Sequence, residues 1–157
     1  MPTDLWNYAL ALYGQNGVET ACLALQEQGA DVCLLLCATW LQARRVAPSE
    51  GRAQALRAIC TPWQEQVVAP LREVRRGWKA MAQDDSALAS LRERVKQLEL
   101  DAERALLERL AHCAAQWPVG DGEGGDWLAW LAPPARQHHD ALAVLRVAAQ
   151  TLYASDD

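Results

Sequence analysis

The side chains able to do chemistry are few and scattered. Cys33 and Cys37 stand four residues apart, so on a helix their thiols face the same way. With Cys22 they could form a metal or redox set. Structural zinc sites, however, present a second Cys or His pair at short spacing, and the sequence has none. Cysteine also packs as a small hydrophobe, and packing is the reading taken here. His112-Cys113 and His138-His139 are adjacent pairs. Neighbours on a helix point about 100° apart, so neither pair chelates alone. A site would need His112 to meet His138 or His139, with Asp140 orienting the ring. Asp121, Glu123 and Asp126 lie in a Gly-rich stretch but lack the order of a calcium loop. Phosphate-loop, nucleophile-elbow and zinc-protease motifs are absent. The expectation is therefore no catalytic set, no metal and no cofactor.

The clearest chemical pattern is basic. Arg72, Arg75, Arg76 and Lys79 fall at i, i+3, i+4 and i+7, one stripe of a helix. Such a stripe can hold a phosphate, an acidic protein or an RNA backbone. Alternatively it pairs internally with Glu93, Glu99, Asp101, Glu103 and Glu108. Trp78 is the stripe's only aromatic, so base stacking is weakly supported. Trp6, Tyr8, Tyr13, Trp40, Trp63 and Trp78 could line a pocket for a flat ligand, but they are equally ordinary core pieces.

The elements that must position these groups are helices. Of 157 residues, 51% are hydrophobic, and Ala and Leu dominate over β-branched types. The whole length suits a single helical domain. Residues 44–79 carry eight bases and three acids, while the net charge of the chain is −5. A basic middle between acidic ends argues for internal pairing first and an anionic partner second. The five Cys and the opening Met-Pro-Thr-Asp-Leu-Trp, which lacks a signal-peptide pattern, lead us to expect reduced thiols in a cytoplasm. No stretch is long enough to span a membrane.

Within residues 30–45, ADVCLLLCATWLQARR, the run 32–41 is apolar on every side, so this helix is expected at the centre of the fold. Asp31 should cap it, and Arg44 and Arg45 suit its negative end. Earlier helices are expected over about 3–13, with Thr3 as cap, and 18–28, ended by Gly29. Ser49 should cap a fourth helix with Ala53, Leu56, Ile59 and Cys60 inward. Thr61, Pro62 and Gln64 read as the capping box of a fifth helix, running to about residue 83 and kinked at Pro70. Asp85 or Ser86 should open a long helix over 86–117. Its seam is expected at Leu88, Leu91, Val95, Leu98, Ala102 and Ala105. At about 45 Å it would project or pair with a partner. Residues 118–126 form a flexible Gly-rich loop, and 127–157 a C-terminal helical segment in which Pro133-Pro134 opens the last helix.

Three stretches carry a resemblance: LWNYALALYGQNGVETACLALQEQGADVCLLLCATWLQARR, TPWQEQVVAPLREVRR and RVKQLELDAERALLERL. Together they resemble an uncharacterised all-helical family of proteobacterial cytoplasmic proteins over roughly residues 5–110. The resemblance implies an all-α fold and no known activity, cofactor or catalytic residue. Cys33 stands where the family typically has Asn, so no role for that thiol is implied. The functional expectation is a non-enzymatic protein-interaction module using the basic stripe and the long helix. Its partner would be another protein or itself, and it has no membrane role. The alternatives are a small-molecule sensor or enzyme with a Trp/Cys-lined pocket, and an RNA- or ribosome-associated factor.

Overall fold

The computed structural model describes residues 4–120, 125–132 and 139–155. Among them the chain is helical with no strand. The apolar stretch is the helix α3, Val32–Ala43, and Cys33 to Leu41 are all buried. Asp31 caps it, its carboxylate accepting from the Leu34 N–H at 3.2 Å. The one polar side chain of the run, Thr39, is satisfied by donating to the Leu36 carbonyl at 2.8 Å. Around α3 pack α1 (Leu5–Tyr13), α2 (Val18–Glu27), α4 (Glu50–Trp63), α7 (Ser86–Ala114), α8 (Trp127–Leu131) and α9 (His139–Ser155). Asp4, rather than Thr3, caps α1 by accepting from the Trp6 N–H at 2.9 Å; Thr3 lies outside the described residues.

Two of these helices end the same way. At α2, Ala30 N–H reaches the Leu25 carbonyl and Gly29 N–H reaches Gln26, both at 3.0 Å. Gly29 supplies the left-handed φ of 86° that this ending needs. At α3, Val46 reaches Leu41 and Arg45 reaches Gln42, again at 3.0 Å. There the left-handed residue is Arg45, φ 58°, where a Cβ is strained. The backbone bond from Val46 to Leu41, and the burial of both side chains in the core, hold it in place. Replacing Arg45 with Gly should therefore raise stability, by about 0.5–1 kcal/mol in a urea titration.

The expected boundary at Thr61-Pro62 does not exist. The helix runs through it as α4, continues in a wide π turn over Gln64–Val68, and goes on as α5 (Ala69–Gly77) and α6 (Lys79–Ala82). Gln64 N–H stays bonded to Cys60, so the capping box never forms. In the wide turn, Ala69 N–H returns to Gln64, five residues back. The wide turn sits directly ahead of Pro70, whose missing N–H would break an ordinary ladder at that point. One inserted residue also rotates everything after it by about 100°, which aims the face of α5.

Asp85 caps α7, accepting from the Leu88 N–H at 3.1 Å. The helix stops at Ala114 rather than Trp117, and at about 1.5 Å per residue its 29 residues span about 43 Å. Its C-terminal half enters the core through Ala102, Leu106, Leu107, Leu110 and Ala114. Residues 86–98 contain no buried side chain, nor do α5 and α6, which pack against α7. This end of the molecule is a two-helix hairpin.

The expected seam is also turned. Leu88, Arg92, Val95, Glu99, Ala102 and Leu106 take the inner positions, each at least half-buried, whereas Leu91 and Leu98 are 46% and 53% exposed. The cause is polar. Arg92 Nε donates to the Arg75 carbonyl at 2.8 Å, and Glu99 is claimed by α5.

Of the Gly-rich stretch, residues 121–124 lie outside the described residues, and so does the expected helix start at Pro133-Pro134. Asp126 is structural: it caps α8 through the Ala129 N–H at 3.3 Å and pairs with Arg146 at 2.8 Å.

Candidate functional site

Half of the basic stripe turns inward. Arg72 Nε lies 3.1 Å from Glu99 Oε1, and Arg72 Nη2 lies 3.3 Å from Glu103 Oε1. Arg75 grips Glu99 with two N–H groups, at 2.5 and 3.2 Å. The Gln26 amide oxygen, turned toward Arg72, accepts from the same guanidinium, 2.9 Å from Nε. Arg76 and Lys79 remain exposed. The two carboxylates differ in kind. Burial pushes Glu99 up, but Arg75 and then Arg72 outweigh it and hold the group below its ordinary range. Burial, with Glu99 adding to it, pushes Glu103 above that range despite Arg72.

Behind this cluster sits the cap of the central helix. Asp31 accepts from the Cys60 thiol at 2.6 Å and from Gln64 Nε2 at 3.0 Å. Its burial outweighs these donors and Arg72, so the carboxyl is pushed up. Gln64, expected as a capping residue, therefore ties the π turn to α3.

The thiols are not poised for reaction. All five cysteines are free; Cys22, Cys33, Cys37 and Cys60 are buried and Cys113 is partly so. Burial pushes Cys22 up to about 12, and raises Cys33, Cys37 and Cys60 as well. A nucleophile or soft metal site needs thiolate. Among the described residues no three His, Cys, Asp or Glu side chains converge as metal ligands. His138 lies outside those residues, as does the side chain of His139; His112 is exposed.

The aromatic residues disperse. Tyr8 and Trp40 are buried in the core. Trp63 donates its Nε1–H to the Ala102 carbonyl at 2.9 Å and lies under Arg109 at 3.9 Å. Only Trp6 and Tyr13 meet at an opening, a cleft of about 190 Å³ that also reaches Cys22, Cys33, Arg72 and Glu103. Sequence reasoning missed the cleft's amides, Gln26 and Gln64.

The opposite side of the hairpin is apolar and open. A groove between α4 and α7 is lined by Ile59, Trp63, Val67, Ala105, Arg109 and other residues. Spacing of seven carries Val67 on to Val74 and Met81, and carries Ala105 back to Leu98 and Leu91, along the same side. Val74 is 39% exposed and Met81 58%.

An all-helical domain with a buried axial helix, an internally paired basic stripe and an open hairpin is the class these observations define. Over residues 4–110 the chain matches the family described as "Protein of unknown function (DUF2390)", and it belongs to that family. Comparisons with curated proteins and with solved structures return no match. No helix among the described residues is long and apolar enough to cross a membrane.

Proposed function

We propose that this chain is a helical protein-interaction module that works by pairing two hairpins, one from each of two copies. The carrying observation is the open side of α5 and α7. A two-helix hairpin encloses no core of its own, and two of them packed face to face make a four-helix bundle. Heptad-spaced apolar residues on both walls fit that geometry. Self-pairing of one patch requires a two-fold axis, and the residues suit one passing near Leu98 and Val74. About that axis α7 runs antiparallel to its copy. Leu91 then falls opposite Ala105, and Met81 opposite Val67, large against small. Arg94 falls opposite Asp101 on the same flank, so the charges match twice.

The anion-surface reading has less to stand on, because Glu99 and Glu103 already engage Arg72 and Arg75, leaving Arg76 and Lys79. A charge cycle tests the pairing. Arg94→Asp alone and Asp101→Arg alone should each weaken self-association several-fold at low salt. The double variant should recover it. Equal, non-recovering losses would show that the two charges never meet.

A further inference from the structure

We propose that the cleft bounded by α1, α2, α3, α5 and α7 is a binding site for a primary ammonium group carried on an apolar body. It lies on the other side of the hairpin from the open face: Leu100, on its rim, follows Leu98 by two residues and so points about 200° away around the helix.

The cleft is amphipathic by construction. Its mouth is ringed by apolar side chains that the fold leaves in water: Leu10 52%, Tyr13 37%, Leu23 49% and Leu100 45% exposed. They come from three separate helices and converge on one opening, which isolated surface leucines do not do. The wall below is Trp6, Val32, Leu36 and Leu107. The inner end is polar, formed by Gln26, Gln64, Arg72 and Glu103. A concave apolar site with a few convergent polar groups is the usual form of a small-molecule pocket.

The polar end selects the charge of the head group. Arg72 looks like an anion receptor, but Glu99, Glu103 and Gln26 already engage each of its three nitrogens. Among the charged groups at this end, the atom left without a partner is an acceptor. Glu103 accepts on Oε1, and among the described residues its Oε2 accepts nothing. Gln64 spends one N–H of its amide on Asp31 and leaves its carbonyl oxygen open. The formal charges run the same way: Asp31, Glu99 and Glu103 face Arg72 and Arg75, one carboxylate in excess. An ammonium donates three hydrogen bonds and accepts none. Seated at Glu103 Oε2 and the Gln64 carbonyl, it cancels the excess charge and relieves the repulsion between Glu103 and Glu99. A carboxylate or phosphate head would meet the Glu103 carboxylate beside a guanidinium whose three nitrogens are each already engaged.

Titration calorimetry with three probes of equal chain length tests this: n-octylammonium, octanoate and octanol. Octylammonium should bind saturably and at least about tenfold more tightly than either of the others, as expected for one charge-assisted hydrogen bond. Glu103→Gln, which keeps the shape and the bond to Arg72, should weaken octylammonium about tenfold and leave octanol unchanged. Leu23→Ser, at an exposed rim position, should weaken all three probes alike without touching the core. Tighter binding of octanoate would make the cleft an anion site. Equal binding of octanol would make it an apolar cleft indifferent to charge, and no binding of any probe into the millimolar range would leave no site there. Each of these results overturns the proposal.

Discussion

Replacing Trp127 with Ala is expected to destabilise the protein by about 3–5 kcal/mol, read from urea denaturation. Trp127 is fully buried and touches three parts of the chain. Its indole N–H donates to the Val46 carbonyl at 2.6 Å, and its backbone N–H donates to Gln42 Oε1 at 3.1 Å. Its ring stacks on Trp117, centroids 6.0 Å apart. Removing the ring opens a cavity beside α3 and strands the Val46 carbonyl at the end of the same helix. The residue lies beyond the stretch 4–110 that matches the family, yet α8 and α9 supply part of the cover over α3. Trp127→Phe should recover most of the packing but not the hydrogen bond, leaving a deficit of about 1–2 kcal/mol.

Glu99→Gln is the second large expectation. Among the described residues Glu99 is the only carboxylate paired with both Arg72 and Arg75, and it is 6% exposed. Leaving a buried charge without its partner costs about 3–5 kcal/mol. Both guanidiniums keep some water and Arg72 keeps Glu103, so about 2–3 kcal/mol is expected here. The pH dependence has a definite sign. Glu99 is held below its ordinary range, so its contribution is complete above its unfolded titration near ~4.3 and is lost as pH falls through the lower folded value. The stability gap between wild type and Glu99→Gln should therefore close on acidification below about pH 4. Asp31 is raised and acts in the opposite sense, but both proteins contain it; Glu103 is raised partly by Glu99, so its opposing contribution is smaller in the variant and narrows the gap as pH rises through that group. A gap that persists undiminished at low pH would mean that Glu99 acts through packing rather than charge.

The parts of the fold that were legible in sequence rest on local chemistry. Residues 32–41 admit no polar face and Asp31 stands at the right place to cap, so α3 reads correctly within two residues at each end. Ser49 reads as a cap for the same reason, and of the two expected starts, Asp85 or Ser86, Asp85 is the cap and Ser86 the first helical residue. The hairpin misreads because two local signals are overruled by tertiary contacts. Thr61-Pro62 followed by Gln64 has the residues of a helix start, but Gln64 is recruited by Asp31 and the helix passes through. Leu91 and Leu98 have the spacing of a seam, but spacing alone does not say which side of a helix the molecule covers. Here Glu99 and Arg92 take the inner positions and turn the leucines outward. The internal pairing of Arg72 and Arg75 was visible as an alternative from the charge pattern. Which two of the four cations would pair was not, because that follows from the extra residue of the π turn. The cleft had no local signature at all: its lining comes from distant segments that only the fold brings together.

The open hairpin carries the functional account, and the mass of the protein in solution tests it most directly. Sedimentation equilibrium across micromolar concentrations should give a reversible dimer, twice the 17.3 kDa of one chain. Leu98→Asp, at a position already half in water, should sediment as a monomer with its helical circular dichroism intact. A wild-type chain that remains at 17.3 kDa throughout that range would contradict the pairing of hairpins.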